Sequence, residues 1–142
     1  MNHPLHDYFG YRILQIHRAH RNRAETALNR LGLHTGQEMV LFQLWKAEGL
    51  TQSELAEILC IGAPTMTKSL NRLEQAGLVE RVQDIEDARV LRVFLTPQGW
   101  ALEAPVKKIW QELETLTVYG LSVAEKDQLR RLLGRINDNL AG

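Results

Sequence analysis

Residues 51–99 read TQSELAEILCIGAPTMTKSLNRLEQAGLVERVQDIEDARVLRVFLTPQG, and this stretch decides the fold. Thr51 and Glu54 stand three apart just ahead of an apolar run. At that spacing two side chains reciprocally satisfy the free N–H groups that open a helix, which predicts a short helix at 52–59. Gly62 and Pro64 mark a tight turn. A second helix is expected at 64–76, with Met66, Leu70 and Leu73 on its core face and Gly77 as its stop. Two short runs rich in Val and Leu, 78–82 and 90–95, read as strands joined by a polar hairpin at 83–89. Helix, turn, helix and β-wing in this order form a device that offers one helix to a major groove and a hairpin arginine to a minor groove.

Outward from this stretch, the same start signals recur. Thr35…Glu38 and Ser122…Glu125 match the reciprocal capping pattern, and Thr96-Pro97 supplies a cap followed by a proline. With stops at Gly32, Gly49 and Gly120, further helices are expected at 5–31, 36–47, 97–118 and 123–140. The last carries a stripe of Leu129, Leu132, Leu133, Ile136 and Leu140; the first offers Phe9, Ile13, Ile16, Ala27 and Leu31. A winged helix alone uses roughly 80–100 residues, so the terminal helices need another surface. Pairing with a second copy supplies one and sets two reading heads about one DNA turn apart. The expectation is a mainly α winged helix-turn-helix with a two-stranded β-wing. Terminal helices at 1–34 and 97–142 form a dimerisation region around a reading unit at 35–96, all within a single domain, 1–142.

Composition bounds the function classes. With 44% apolar and 24% charged residues the chain is an ordinary globular one. No apolar run reaches the roughly 20 residues of a membrane helix, and the first residues lack the apolar region of a signal peptide. One cysteine cannot form an internal disulfide, which fits a reducing cytoplasm. Seventeen cations balance seventeen anions, and within 51–96 five cations (Lys68, Arg72, Arg81, Arg89, Arg92) face seven acids. Between 63 and 73, however, Lys68 and Arg72 stand with no acid, so a basic face exists locally. No phosphate-binding loop, dinucleotide fingerprint, zinc-protease motif or nucleophile triad is present, so no enzyme and no cofactor are expected.

The polar side of the second helix carries Pro64, Thr65, Thr67, Lys68, Asn71 and Arg72. Hydroxyl, amide and cationic groups suit base edges and phosphates: Thr65, Thr67 and Lys68 are assigned to bases, Asn71 and Arg72 to the backbone. An ordinary solvated helix face has a similar composition, and the turn and wing around this one favour recognition. Thr51 and Gln52, at a helix N-terminus, add phosphate contacts, with capping as the first role of Thr51. Arg89 is expected in the minor groove, held by Asp87 through a charge-assisted hydrogen bond. Without DNA the same pair is an exposed ion pair worth about 0–1 kcal/mol.

These residues resemble the MarR family of bacterial transcriptional regulators. The match runs through LTQSELAEIL, PTMTKSLNRLEQAGLVER and DARVLRVFLTPQG. Residues 73–81 follow the Leu-Glu-x-x-Gly-Leu-Val-x-Arg ending of the family's recognition helix. Asp87, Arg89 and the Leu-Thr-x-x-Gly run at 95–99 follow its wing. The sequence departs from the family pattern at Ala63, where a capping side chain is common, at Ala88, and in the acidic approach Gln83-Asp84-Ile85-Glu86. The resemblance implies a homodimer on double-stranded DNA, a palindromic site and release by a small molecule or an oxidant.

A small aromatic or phenolic effector is likewise implied, in a cleft between the terminal helices and the reading unit. His17, His20 and Arg21 are placed at its border, and Phe42, Trp45 and Trp110 are candidate apolar walls. The five histidines, His3, His6, His17, His20 and His34, all fall in the first quarter of the chain with no partner carboxylate or thiol at ligand spacing, so no metal site is expected. Cys60 has apolar neighbours and no adjacent cation, and reads as a buried packing residue. Two alternatives stay open: a winged helix that binds protein, and a cysteine-based redox-responsive regulator.

Overall fold

The computed structural model describes residues 4–142; His3 lies outside them. After a 3-10 turn at Pro4–Asp7 come α1 (Phe9–Asn29), α2 (Gln37–Lys46), α3 (Gln52–Ile58), α4 (Ala63–Gln75), β1 (Val79–Gln83), β2 (Leu91–Leu95), α5 (Pro97–Ala101), α6 (Glu103–Thr117) and α7 (Val123–Ala141). β1 and β2 pair antiparallel from Val79 opposite Leu95 to Gln83 opposite Leu91. The chain ahead of α3 adds an edge to this ribbon: Gly49 N–H donates to Val93 O and Val93 N–H to Leu50 O, both at 2.9 Å. No helix among the described residues is long and apolar enough to cross a membrane.

One core holds the reading unit. Val40, Leu41 and Leu44 of α2, Leu55 of α3, Met66, Leu70 and Leu73 of α4, Val79, Val93 and Val106 are all fully buried. The three residues of α4 recur at i, i+4 and i+7, so the helix turns one stripe inward and leaves its polar side in water. Truncating one of them, as in Leu70→Ala, would cost about 2–5 kcal/mol through lost burial and the cavity left behind. Trp45 lies in this core, its Nε1–H donating to Gly99 O at 3.0 Å. Gly99 must be glycine, because a Cβ there would collide with the Leu78 carbonyl oxygen.

Two sequence expectations fail locally. The helix expected at 97–118 is broken at Leu102 into α5 and α6. Pro105 has no N–H to donate to Ala101 O, and its ring crowds that carbonyl, so the first segment ends there. Nor does the Thr35…Glu38 capping box form. Gly36 takes φ 101° and becomes the cap of α2, its N–H directed at both carboxylate oxygens of Glu38 at 3.2 Å. The helix therefore starts one residue late, and the Thr35 hydroxyl is buried with no hydrogen-bond partner in the structure.

The terminal helices keep their apolar faces in the open. α7 has no buried residue, although Leu129, Leu132, Leu133, Ile136 and Leu140 line one side of it. α1 packs on α6 and buries only Ala24 and Leu28, leaving Phe9, Ile13, Leu14 and Ile16 exposed.

Candidate nucleic-acid interface

α3, its turn and α4 form the helix-turn-helix. Thr51 opens α3 as the sequence predicts: its Oγ1 accepts the Glu54 N–H at 3.0 Å while Glu54 Oε1 accepts the Thr51 N–H at 3.2 Å. The helix closes with Cys60 N–H donating to Glu57 O at 3.2 Å and Ile61 N–H to Ala56 O at 2.9 Å, a Schellman closure with a left-handed residue just past the helix. That residue is Cys60, φ 53°, whereas Gly62 is extended (φ −63°) and caps α4 without a side chain. Cys60 is therefore exposed, contrary to its expected burial. The left-handed step carries it off the apolar stripe of the helix it follows.

On α4, Pro64, Thr65, Lys68, Asn71 and Arg72 are exposed and Thr67 is half-buried. The Thr67 hydroxyl is committed inside the motif: it donates to Ala63 O at 3.0 Å and accepts from Gln52 Nε2 at 2.7 Å. Thr67 and Gln52 thus brace α3 against α4, an internal role in addition to the DNA contacts expected of them, and Gln52 Oε1 is left buried with no hydrogen-bond partner in the structure. Asn71 is tied to the first strand, its Oδ1 accepting from Arg81 Nη2 at 2.6 Å. Arg81 also grips Glu74 at 3.0 Å, which holds the Glu74 carboxyl below its usual range.

The wing is organised by its acids. Asp84 Oδ2 accepts the N–H groups of Glu86 and Asp87 at 3.2 and 3.1 Å, while Oδ1 accepts Arg92 Nε at 2.7 Å. Asp87 in turn takes Arg89 with both oxygens, Nε to Oδ1 at 3.1 Å and Nη2 to Oδ2 at 3.2 Å, a bidentate form of the charge-assisted hydrogen bond expected from the sequence. The Arg89 side chain is 91% exposed. Hydrogen bonds from Arg92 and Arg89 hold the carboxyls of Asp84 and Asp87 low.

These pairs explain the unfavourable charge count of this region. Arg81, Arg89 and Arg92 each have an acid, and among the described residues Lys68 and Arg72 have no ion pair. Both stand exposed on α4. A groove of about 320 Å³ lies between α3, the start of α4 and the wing, lined by Gln52, Ala63, Met66 and Arg89 among others. Sequence reasoning missed Arg81, Asp84 and Arg92. The available signal was opposite charge at positions that the hairpin brings together.

A second cavity, about 440 Å³, lies between α1, the start of α2 and α6. It brings together His17, His20, Arg21 and Trp110 of the residues named from the sequence, with Thr35, Glu38 and Met39, which were not foreseen. The rings of His20 and Trp110 are 5.4 Å apart. Trp45 is not on this wall because it belongs to the core, and Phe42 lines an adjoining groove with Trp110. Trp110 Nε1, like the Thr35 hydroxyl, is buried with no hydrogen-bond partner in the structure. Glu38 is 2% exposed; burial pushes its carboxyl up, opposed by the Gly36 N–H and the Arg21 charge. Among the described residues no cluster of His, Cys, Asp or Glu could hold a metal ion.

The family model of MarR matches residues 33–91, the stretch that holds α2, the helix-turn-helix, β1 and the hairpin up to the start of β2. The organic hydroperoxide resistance transcriptional regulator of Bacillus subtilis (strain 168) is 32% identical over 105 residues, 74% of this chain and 68% of that protein. The chain belongs to the MarR family. The regulator TtmR of Methylorubrum extorquens (strain PA1) is 36% identical over 105 residues, 74% of this chain and 49% of that protein. This chain thus matches about half the length of that MarR relative. Among solved structures, the S. aureus MepR–DNA complex superposes with a TM-score of 0.88 at 27% identity, over 93% of this chain and 98% of that one. MarR proteins are transcriptional regulators and not enzymes, and the mainly α architecture with a two-stranded wing is theirs.

Proposed function

We propose that this chain is a homodimeric, sequence-specific DNA-binding repressor that occupies a near-palindromic promoter site and leaves it when a small aromatic or phenolic effector binds. The observation that carries the reading is the pairing pattern of the cations. Arg81 and Arg92 are spent on internal acids, while Lys68 and Arg72 stand exposed on α4 with no ion pair among the described residues, and Arg89 stands exposed and pre-positioned on the wing. Contacts from α4 go to the major groove, with Thr65 and Lys68 toward bases and Arg72 toward phosphate. Arg89 goes to the minor groove, where narrow A·T-rich DNA concentrates negative potential. The likeness to a MarR-family protein solved on DNA supports this placement.

Dimerisation through 1–34 and 97–142 is supported by α7, a 19-residue helix with an apolar stripe and no buried residue. The effector site is the cavity bordered by His17, His20, Arg21 and Trp110, between the terminal helices and the reading unit. An effector that lowers DNA affinity 5–150-fold needs a coupling of only about 1–3 kcal/mol.

Fluorescence-anisotropy binding to fragments of the protein's own upstream DNA, repeated across a salt series, tests the reading. Selective binding of two protomers per site, falling steeply with salt, is expected. Equal, feeble binding to every fragment together with tight capture of a protein partner would replace it with a protein-binding winged helix.

A further inference from the structure

Two side chains stand out at the tip of the wing, and the proposed contact with DNA uses only one of them. Asp84 N–H donates to Val90 O at 2.9 Å, which closes a loop over residues 85–89. Ile85 and Arg89 are the first and last residues of that loop, so they stand on either side of its neck. Both are exposed: the Arg89 side chain almost wholly, and Ile85 fully, more so than any other large apolar side chain among the described residues. The loop is ordered from inside. Asp84 Oδ2 accepts the N–H groups of Glu86 and Asp87, and Asp87 holds Arg89. A turn tied in this way presents Ile85 without burying it.

Charge alone does little to hold this tip on DNA. Between 84 and 92 three acids, Asp84, Glu86 and Asp87, face two arginines, Arg89 and Arg92, which leaves one net negative charge. Glu86 has no ion pair among the described residues. A hairpin with that balance gains little from neutralising phosphates, and uncharged contact has to make up the difference. Apolar side chains inserted at base steps supply such contact in minor-groove proteins. We infer that Ile85 enters the minor groove beside Arg89 as an apolar wedge, so that the wing reads DNA shape as well as its potential. This rests on the proposed placement of Arg89 in that groove. Guanine alone lifts an amino group into the minor groove, and an apolar side chain packed on it leaves that group without a partner. Ile85 therefore adds to the preference for A·T pairs where it touches, and most of all for a TA step, which unstacks easily.

The test is anisotropy across a salt series on the upstream fragment that wild type binds best, with the full chain, Ile85→Ser, Ile85→Leu and Arg89→Ala. Ile85 has no buried surface to lose, so its variants should melt with wild type. Ile85→Ser should weaken binding by roughly 5–20-fold, the weight of part of an isoleucine side chain removed from water. Its salt slope should stay that of wild type, because no phosphate contact is lost. Ile85→Leu, apolar and of equal size, should keep most of the affinity. Changing the A·T pairs under the wing to G·C should cost wild type more than it costs Ile85→Ser. Wild-type affinity of Ile85→Ser beside a weakened Arg89→Ala overturns the inference and leaves the wing in the groove. A reduced salt slope of Ile85→Ser overturns it too, because the loss then runs through Arg89. Wild-type affinity in both variants takes the wing off DNA, and this inference goes with that placement.

Discussion

Arg92 and Asp84 fasten the wing to the helical body. Arg92 Nε donates to Asp84 Oδ1 at 2.7 Å, and its Nη1 donates to the Gly49 carbonyl at 2.9 Å. One guanidinium therefore joins the hairpin turn to the segment that leads into α3. Asp84 also gathers the N–H groups of Glu86 and Asp87, and Asp87 is the residue that holds Arg89. The acids of the wing approach, unfavourable near DNA by sign alone, shape the turn that presents its arginine.

Arg92→Met keeps an apolar stem of similar length and removes every donor. On the proposed reading the wing loosens, and DNA affinity falls about fivefold, the equivalent of ~1 kcal/mol, although Arg92 is not one of the proposed DNA contacts. Anisotropy titration beside a thermal melt checks this; wild-type affinity would remove the positioning role. Acid should act on the same link. The folded-state pKa of Asp84 lies below its ordinary 3.8 because of the Arg92 hydrogen bond, so the contribution is present above that ordinary value and is lost as pH falls through the lowered one.

Arg89→Ala separates function from stability. Its side chain is almost wholly exposed and, among the described residues, its ion pair is with Asp87, so the melting temperature should hardly move, as for exposed ion pairs in general. DNA affinity should fall by roughly tenfold at sites with A·T-rich flanks, and the salt slope should shrink by about one counterion. Affinity and slope both matching wild type would take the wing out of the interface.

The elements that local chemistry dictates were legible in the sequence. Thr51 and Ser122 formed their capping boxes, the Met66–Leu70–Leu73 stripe went inward, and Asp87 took Arg89. What was not legible depends on competition between neighbours. Thr35 lost its cap to Gly36, whose left-handed backbone a sequence pattern does not reveal. Thr67, chosen for its hydroxyl, spends it on Gln52 and Ala63 because the two helices cross there. Trp45, chosen as a pocket wall, is drawn into the core by the Gly99 carbonyl. Pro105 breaks the helix one turn upstream of itself, and an apolar periodicity running through both halves masked the break.

Cys60 gives the turn a second lesson that can be measured. A left-handed φ costs a non-glycine residue roughly 1–2 kcal/mol, and glycine takes it freely but loses part of the gain through a more mobile unfolded chain. Cys60→Gly should therefore raise the unfolding free energy by about 0.5–1 kcal/mol in urea titration, with DNA affinity preserved. A loss of stability would mean that the exposed thiol makes contacts that outweigh its backbone strain.

Glu38 makes stability depend on pH in the opposite sense to Asp84. Burial raises its folded-state pKa above the ordinary 4.5, so the folded chain holds this proton more tightly than the unfolded chain. The group is best tolerated below the ordinary value and becomes a cost as pH rises through the raised one. Glu38→Gln keeps an oxygen to accept the Gly36 N–H and carries no charge. The variant should melt higher than wild type at pH 8, and the gap should close as the pH is lowered toward 4.5. A gap that widens on acidification would show that the Glu38 charge is a net asset beside Arg21.

Leu133→Asp tests the reading of the terminal helices. Leu133 sits mid-stripe on α7 with Leu129, Leu132 and Ile136, all exposed, so in a lone chain the change touches no buried group and should leave helicity by circular dichroism intact. In a dimer the same carboxylate enters an apolar interface without a partner, which costs several kcal/mol when charged. Sedimentation should then show a monomer where wild type is a dimer. Affinity for a two-half-site duplex should collapse toward that for a single half-site, because the second head no longer binds from the same particle. A stable dimer of Leu133→Asp would place the interface elsewhere and leave the apolar stripe of α7 in need of another partner.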